Sequence, residues 1–169
     1  STWFDRPLSI AGRILVKEGN LVKTHLVNID KDLVIIPNLA IHMNRAVNDG
    51  YKYNAQIDML PLYGDNTSKG SLMKTVAQSV GVEEDSILGT DLFLYNRMRG
   101  TKIGANSEYI SSPRLDDLEC AYASLSAFLS ETNSNSASVY CVFDNEEVGS
   151  GTKQGADSTL LYDVLRRIN

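Results

Sequence analysis

The stretch from residue 117 to residue 168 follows a helix–strand–helix order, and this order constrains the fold more than any other feature of the chain. Residues 138–143 (SVYCVF) form a short apolar run, typical of a strand buried in a parallel sheet. A second helical pattern begins at Gly155. The segment before the run, 117–130, places apolar side chains on one helical face: Leu118, Ala121, Tyr122, Leu125, Phe128 and Leu129. Together these segments predict an α/β layer.

The first half of the chain predicts a separate, strand-rich subdomain. Residues 10–17 and 21–30 are β-prone runs on either side of a short glycine-containing turn, which predicts a hairpin. We place the boundary so that residues 1–95 form one domain and residues 96–169 another. The other predicted elements of this part are a helix over 38–48 with Leu39, Met43 and Ala46 at helical spacing, a helix from Ser71 to a stop at Gly81, a strand over 91–96 and an irregular segment over 97–113.

The composition of the chain argues against nucleic-acid-binding and membrane-spanning classes of protein. The net charge is −5 and no basic cluster is interleaved with aromatic residues, so a nucleic-acid surface is disfavoured. No apolar run approaches the ~18–20 residues of a membrane span, and residues 1–20 do not resemble a signal peptide. Cys120 and Cys141 lie in apolar patterns, so we expect reduced, buried thiols and a cytoplasmic protein. The missing initiator methionine and the end inside a helical pattern suggest a piece of a longer polypeptide.

Acidic residues follow the predicted buried strand directly, in the sequence DNEEVGS. Ligands collect beyond the carboxyl ends of strands in open parallel sheets, which is where Glu146 and Glu147 would lie. On an extended backbone these two side chains would point in opposite directions. Asp116 would stand at the start of the helix over 117–130, on the same edge if a strand precedes it. Three carboxylates converging there would repel one another unless a cation neutralised them.

Simpler explanations exist for each of these acids. Asp116 could cap the helix and complement its dipole. Glu146 and Glu147 could lie in a solvated loop, since charged loops are usually on the surface. A calcium loop does not fit, because the acids lack the alternation of an EF-hand. The residue pattern alone therefore favours the solvated alternatives over a metal site.

Four sequence segments favour a metal site over the solvated alternatives: WFDRPLSIAGRI (3–14), IPNLAIHMNR (36–45), SPRLDDL (112–118) and FDNEEVGSGTKQGADS (143–158). In content and order they resemble the aspartyl aminopeptidase family of dinuclear zinc metallopeptidases. The resemblance implies an α/β metallopeptidase domain interrupted by an inserted, β-rich dimerisation domain with helices. Residues 1–95 would be mostly the insertion and residues 96–169 part of the catalytic domain. It also implies a homo-oligomer built from dimers, commonly a dodecamer.

The same resemblance implies residue roles. Asp116 matches the aspartate that bridges two zinc ions, and Glu147 matches a ligand to one of them. Glu146 matches the general base that activates the metal-bound water. His42 matches a histidine that reaches a partner subunit's active site and helps to hold the substrate. The expected reaction is removal of N-terminal residues, preferably Asp or Glu, from peptides.

The chain also departs from the family pattern. Family sites use a histidine near the start of the chain, plus an aspartate and a histidine further toward its end, and none of those motifs occurs here. A site with three carboxylates and no imidazole should bind zinc weakly, since zinc sites ordinarily use about three or four ligands, often nitrogen or sulfur. We therefore expect this segment alone to be inactive. The alternative is a non-catalytic dimerisation or interaction module with a solvated acidic loop.

Overall fold

The computed structural model describes residues 3–38, 40–132 and 135–168. It divides into two compact units, residues 1–113 and residues 114–169. In the described ranges, none of the helices has the length and apolarity needed to cross a bilayer. The elements in chain order are β1 (Pro7–Glu18), β2 (Leu21–Asn28), β3 (Val34–Ile35), α1 (Ala55–Asp58), α2 (Leu72–Val80), β4 (Ile87–Asn96), β5 (Thr101–Ile103), β6 (Tyr109–Ser111), α3 (Leu118–Ser130) and α4 (Leu160–Ile168). This mixture of sheets and helices confirms the predicted α/β class.

Strand β1 organises the first unit. It pairs antiparallel with β2 on one side and with β4 on the other, while β3 pairs with its first two residues. Glu18 lies opposite Leu21 at the turn, so the predicted hairpin is confirmed. Gly12 in β1 has a φ of +152°, and a Cβ there would overlap the backbone carbonyl of Asp91 in β4. Only glycine therefore allows these two strands to lie this close.

The buried hydrophobic side chains of the described residues all belong to the first unit. Ile14 and Val16 alternate onto one face of β1, where they meet Val76 of α2. A second cluster is formed by Phe4, Leu8, Val34 and Ile36. Helix α2 ends at Gly81 in the left-handed conformation, with its N–H donating to the carbonyl of Ala77, as the sequence predicts. Full burial of one such side chain contributes about 1.5–3 kcal/mol.

The helix predicted over 38–48 is wrong for the described part of that segment. Residues 41–43 and 45–46 form turns, and a single 3-10 turn follows at Val47–Asp49. The side chain of Asn44 accepts a hydrogen bond from the N–H of Ala46 at 3.2 Å, which diverts that N–H from a helical partner. Leu39, which the predicted apolar face included, lies outside the described residues.

The segment predicted to be irregular contains a small hairpin instead. Strands β5 and β6 pair antiparallel, with Ile103 opposite Tyr109. Gly104 and Ser107 adopt positive φ values between them, and the Glu108 carboxylate accepts from the N–H of Asn106. The hairpin groups with the first unit, so the contacts divide the chain after Pro113 rather than after residue 95. The assignment of residues 1–95 to an inserted dimerisation domain stays a prediction.

The second unit contains α3, as predicted, and α4, which begins at Leu160 rather than at Gly155. The strand predicted over 138–143 is wrong: in the described part of this unit it has no paired neighbour, and a strand exists only as part of a hydrogen-bonded ladder. Val139 and Val142 are consequently exposed. Cys120 and Cys141 are free thiols, but both are exposed, so the prediction that they are buried is wrong.

Candidate metal centre

The acidic loop after residue 143 is shaped by two residues in the left-handed conformation. Asn145 has φ 63° and ψ 34°, and Gly149 has φ 93° and ψ 18°. Between them Glu146–Val148 forms one 3-10 turn, closed by the N–H of Gly149 donating to the carbonyl of Glu146 at 2.8 Å. The prediction that Glu146 and Glu147 lie on an extended backbone is therefore wrong. Asn at the first of these positions is favourable because its short polar side chain tolerates positive φ.

Hydrogen bonds hold this loop against the segment that follows it. The side-chain amide N–H of Asn145 donates to the hydroxyl of Thr152 at 2.8 Å, and the backbone carbonyl of Asn145 accepts from the N–H of Ser150 at 2.9 Å. The N–H of Asp144 donates to the carbonyl of Gln154 at 2.9 Å. Gly155 is buried, and a Cβ there would overlap the carbonyl of Ser150. The glycine is thus required for the loop to close in this way.

Asp116 and Asp117 lie where α3 begins. The N–H of Leu118 donates to the carbonyl of Asp116 at 2.7 Å, across Asp117 with φ 61° and ψ −44°. This is a γ-turn of the rare, strained form. Asp117 occupies the N-cap position, yet its side chain makes no capping hydrogen bond. The capping explanation offered for Asp116 is therefore wrong, because neither the position nor a cap bond belongs to that side chain.

The structure brings three exposed carboxylates together. Asp116, Asp117 and Glu147 each offer an oxygen within 4.8 Å of the other two. The charges of these carboxylates also act on Glu146. The pKa of Glu146 is raised above that of an ordinary glutamate, chiefly by the Asp117 carboxylate and then by Glu147, partial desolvation and Asp116. The predicted set of Asp116, Glu146 and Glu147 is thus gathered in one unit. Their metal-binding and catalytic roles remain predictions.

Sequence reasoning assigned no role to Asp117. The signal was present as the second letter of the DD pair in SPRLDDL. Helical periodicity did not predict that the side chains of Asp116 and Asp117 would both lie near Glu147. That arrangement depends on the positive φ of Asp117. Strain of this kind concentrates at functional sites.

The charge and spacing of this group fit a divalent cation. Two ligand atoms at about 2.1 Å from one ion can be no more than about 4.2 Å apart, so small side-chain rotations suffice from the observed limit of 4.8 Å. Carboxylate oxygens suit hard cations and also bind zinc. The two histidines of the chain, His25 and His42, both belong to the first unit. The carboxylates therefore fit as part of a zinc ligand set.

A concavity of about 1040 Å³ adjoins the acids within the second unit. Its walls come from α3 and from residues 139–148, and Asp117, Glu146 and Glu147 line it together with Ala121 and Val142. Its lining combines apolar side chains with these acids.

His42 belongs to the first unit and lies in the turn over 41–43, where it is exposed. It makes no ion pair with an acid among the described residues. The prediction that it binds substrate stays a prediction.

Comparisons with known proteins identify relatives over the whole chain. The family model described as "Aminopeptidase I zinc metalloprotease (M18)" matches residues 1–169. A probable M18 family aminopeptidase 2 of Clostridium acetobutylicum is 51% identical over 99% of this chain, which covers 40% of that relative. A protein of the same name from Borreliella burgdorferi is 37% identical over 100% of this chain and 39% of its own length.

Solved structures of known proteins also match this chain. The structure of Chaetomium thermophilum mApe1 matches with a TM-score of 0.85 and 30% identity over 99% of this chain and 42% of that one. The structure of the S. cerevisiae mApe1 dodecamer matches with a TM-score of 0.72 and 28% identity over 98% of this chain and 39% of that one. The chain spans about two fifths of the length of the curated relatives that it matches. The resemblance noted from the sequence is thus confirmed, and the chain belongs to the M18 family of aminopeptidases.

Proposed function

We propose that this chain is the part of a zinc-dependent aminopeptidase that carries the general base and some of the metal ligands. The supporting observation is that Asp116, Asp117 and Glu147 present oxygens within 4.8 Å of one another, with Glu146 in the same field of negative charge. Membership of a family described as zinc metalloproteases supports the choice of metal. We further propose a cytoplasmic location, which the two free thiols support.

Asp116 and Glu147 would hold the metal, and Asp117 supplies a third carboxylate to the same group. Two zinc ions, when bound, would make water a stronger nucleophile near neutral pH and polarise the scissile carbonyl. The remaining ligands would come from the rest of the full-length protein. Because this chain supplies only oxygen donors at the site, we propose that it binds zinc weakly and is inactive alone.

Glu146 would be the general base. One of its carboxylate oxygens would take the proton of the attacking water and pass it to the nitrogen of the departing amine. In the metal-free chain the pKa of Glu146 is raised by the neighbouring carboxylates, with Asp117 first. Glu147 follows directly in the same 3-10 turn, so one backbone segment fixes the base and a ligand together.

The substrates that we propose are peptides with an N-terminal Asp or Glu. We also propose that the full-length protein is a homo-oligomer built from dimers, up to a dodecamer such as the one that yeast mApe1 forms. In such an assembly His42 would contribute to holding substrate in a partner subunit's site. Its position in an exposed turn is compatible with that contact.

The test uses the full-length protein that contains this chain. It is stripped of metal with a chelator, reloaded with zinc, and assayed on Glu-, Asp- and Leu-anilides in parallel with the 169-residue chain. The proposal expects turnover only after zinc is restored, faster release from Glu and Asp than from Leu, and no turnover by the shorter chain. Full-length protein that remains inactive with zinc on all three anilides would instead favour the interaction module.

A further inference from the structure

A second, smaller pocket lies within the first unit. Its volume is about 190 Å³, and aromatic rings form much of its lining. Phe4 stacks on Tyr53 with ring centroids 4.5 Å apart, and Tyr51 meets Tyr53 edge-on at 4.8 Å with an interplanar angle of 72°. The two tyrosine rings therefore form a corner rather than a single flat wall.

Asp58 is the charged residue that lines this pocket, and no Lys, Arg or His among the described residues lines it. Asp58 as a whole residue is half-buried. One of its oxygens accepts from the hydroxyl of Tyr51 at 3.2 Å, and the other accepts from the N–H of Asn54 at 2.7 Å. Neither bond brings a positive charge, and none of the ion pairs among the described residues involves Asp58.

The Asp58 carboxylate therefore has a negative charge with no cationic partner among the described residues, and it has hydrogen-bond acceptor sites that are not used. Two oxygens offer about four lone-pair sites, and two of these are used. The two present bonds hold the carboxylate in place against the aromatic corner. A cation entering the pocket would meet a negative charge beside aromatic rings.

We propose that this pocket binds a guanidinium group, such as the end of an arginine side chain. A planar guanidinium can stack on an aromatic face while its edge donates to a carboxylate, and it is more weakly hydrated than an ammonium group. A volume of about 190 Å³ accommodates such a group without the body of a larger ligand. The pocket belongs to the first unit alone, so its ligand does not depend on the proposed peptidase activity.

The probe is methylguanidinium chloride, titrated into the 169-residue chain while backbone amide shifts are followed by NMR. Three comparisons run beside it: methylurea, which has a similar shape without charge; methylammonium chloride, which has charge without the planar fork; and sodium chloride at equal ionic strength. A capped arginine, N-acetylarginine methylamide, tests whether the group is also accepted when carried by a polypeptide. We expect saturable shifts confined to the lining of the pocket, around Phe4, residues 37–38 and residues 51–60, with both guanidinium probes.

Two substitutions test the assignment from different directions. Asp58→Asn keeps an acceptor for the Asn54 N–H but removes the charge, and we expect methylguanidinium affinity to fall about tenfold or more. Tyr51→Leu removes one wall of the corner and leaves the carboxylate, and it should also weaken binding. Asp85→Asn, an exposed carboxylate in a 3-10 turn of the same unit, is the matched control and should leave affinity unchanged.

The proposal is overturned if methylguanidinium shifts match those from sodium chloride, if methylurea or methylammonium binds equally well, or if Asp58→Asn binds as tightly as the original chain while its spectrum remains that of a folded protein. If Asp58→Asn unfolds, the Tyr51→Leu titration and the methylurea comparison decide the result. Binding of free methylguanidinium without the capped arginine would support a small-molecule site, and binding of both would support recognition of an arginine side chain.

Discussion

Asp116 and Glu147 have carboxylate oxygens within 4.8 Å of each other, although one precedes α3 and the other lies in the loop after residue 143. Two like charges at this separation repel in the absence of a counter-charge. The loop nevertheless closes through its own hydrogen bonds, among them that of Asn145 with Thr152. The negative charges are therefore held close together by backbone geometry, and in the proposed metal site a cation would neutralise them.

Glu146→Gln in the full-length protein should reduce turnover by about a hundredfold to ten-thousandfold, because an amide cannot accept the proton of the attacking water. Assembly, followed by gel filtration, should not change. Glu131→Gln makes the same chemical change at the other end of α3 and serves as the control. Full activity in the Glu146 variant would refute its assignment as the base.

Zinc should stabilise the chain that carries the acidic group. A ligand present at about 100 times its dissociation constant adds about 2.7 kcal/mol to the free energy of unfolding, so thermal midpoints measured against zinc concentration report the affinity. Asp117→Asn should weaken this effect, as should Asp116→Asn and Glu147→Gln, while Glu131→Gln should not. A response to zinc that survives all three substitutions would place the ion elsewhere.

Stability without metal should depend on pH through Glu146. Its folded pKa is raised, chiefly by Asp117, so the folded state binds more protons than the unfolded state between the two pKa values. The free energy of unfolding therefore falls as pH rises through that window, and the stabilising protonated form is lost above the folded pKa. Glu146→Gln should be more stable than the original chain near neutral pH in chelator, and the advantage should vanish below the unfolded pKa. Thermal melts of the two proteins near neutral pH and below the unfolded pKa measure this difference in stability. A higher stability of Glu146→Gln that persists in acid would contradict the electrostatic cause.

Gly155→Ala should disturb the acidic loop, because the added Cβ would overlap the carbonyl of Ser150. A displacement of about 1 Å at the base or ligand can cost about a hundredfold in rate, so turnover of the full-length variant should fall accordingly. Gly151→Ala is the matched control, since its Cβ would come no closer than 4.0 Å to the carbonyl of Gly149. Equal rates for the two variants would show that the loop adapts without loss.

Ile14→Ala should destabilise the first unit by about 2–5 kcal/mol, because it empties a fully buried position between β1 and α2. Leu26→Ala removes a similar side chain that is 81% exposed in β2, and it should change stability by no more than about 0.5 kcal/mol. Urea unfolding of both variants, followed by circular dichroism, makes the comparison. Similar losses for the two would mean that the outer face of the sheet is covered in solution.

Much of the fold could be predicted because local patterns and packing agree. The two β-prone runs on either side of the glycine-containing turn and the stop signal of Gly81 are both local, and both predictions are confirmed. The strand predicted over 138–143 failed because an apolar run predicts a strand only if a neighbour pairs with it. The helix predicted over 38–48 failed because spacing alone does not register a side chain such as Asn44 that bonds the backbone.

Part of the membership of the candidate site could be predicted from the sequence, but its geometry could not. The acidic sequence segments indicated Asp116, Glu146 and Glu147, and these residues lie in one group in the structure. The 3-10 turn at Glu146–Val148 and the positive φ of Asp117 depend on tertiary hydrogen bonds and strain, for which periodicity has no signal. Asp117 was missed for that reason.

The buried hydrophobic side chains of the described residues all come before Pro113, while the acidic loop after residue 143 is held by hydrogen bonds and one obligatory glycine. Natural variation can therefore act on the two halves through different forms of selection. If the proposed function is right, a lineage could exchange the acids of the loop, lose peptidase activity and still inherit an intact first half. Catalytically dead descendants with a preserved β1–β2–β4 sheet are the evolutionary outcome that this division of the chain permits.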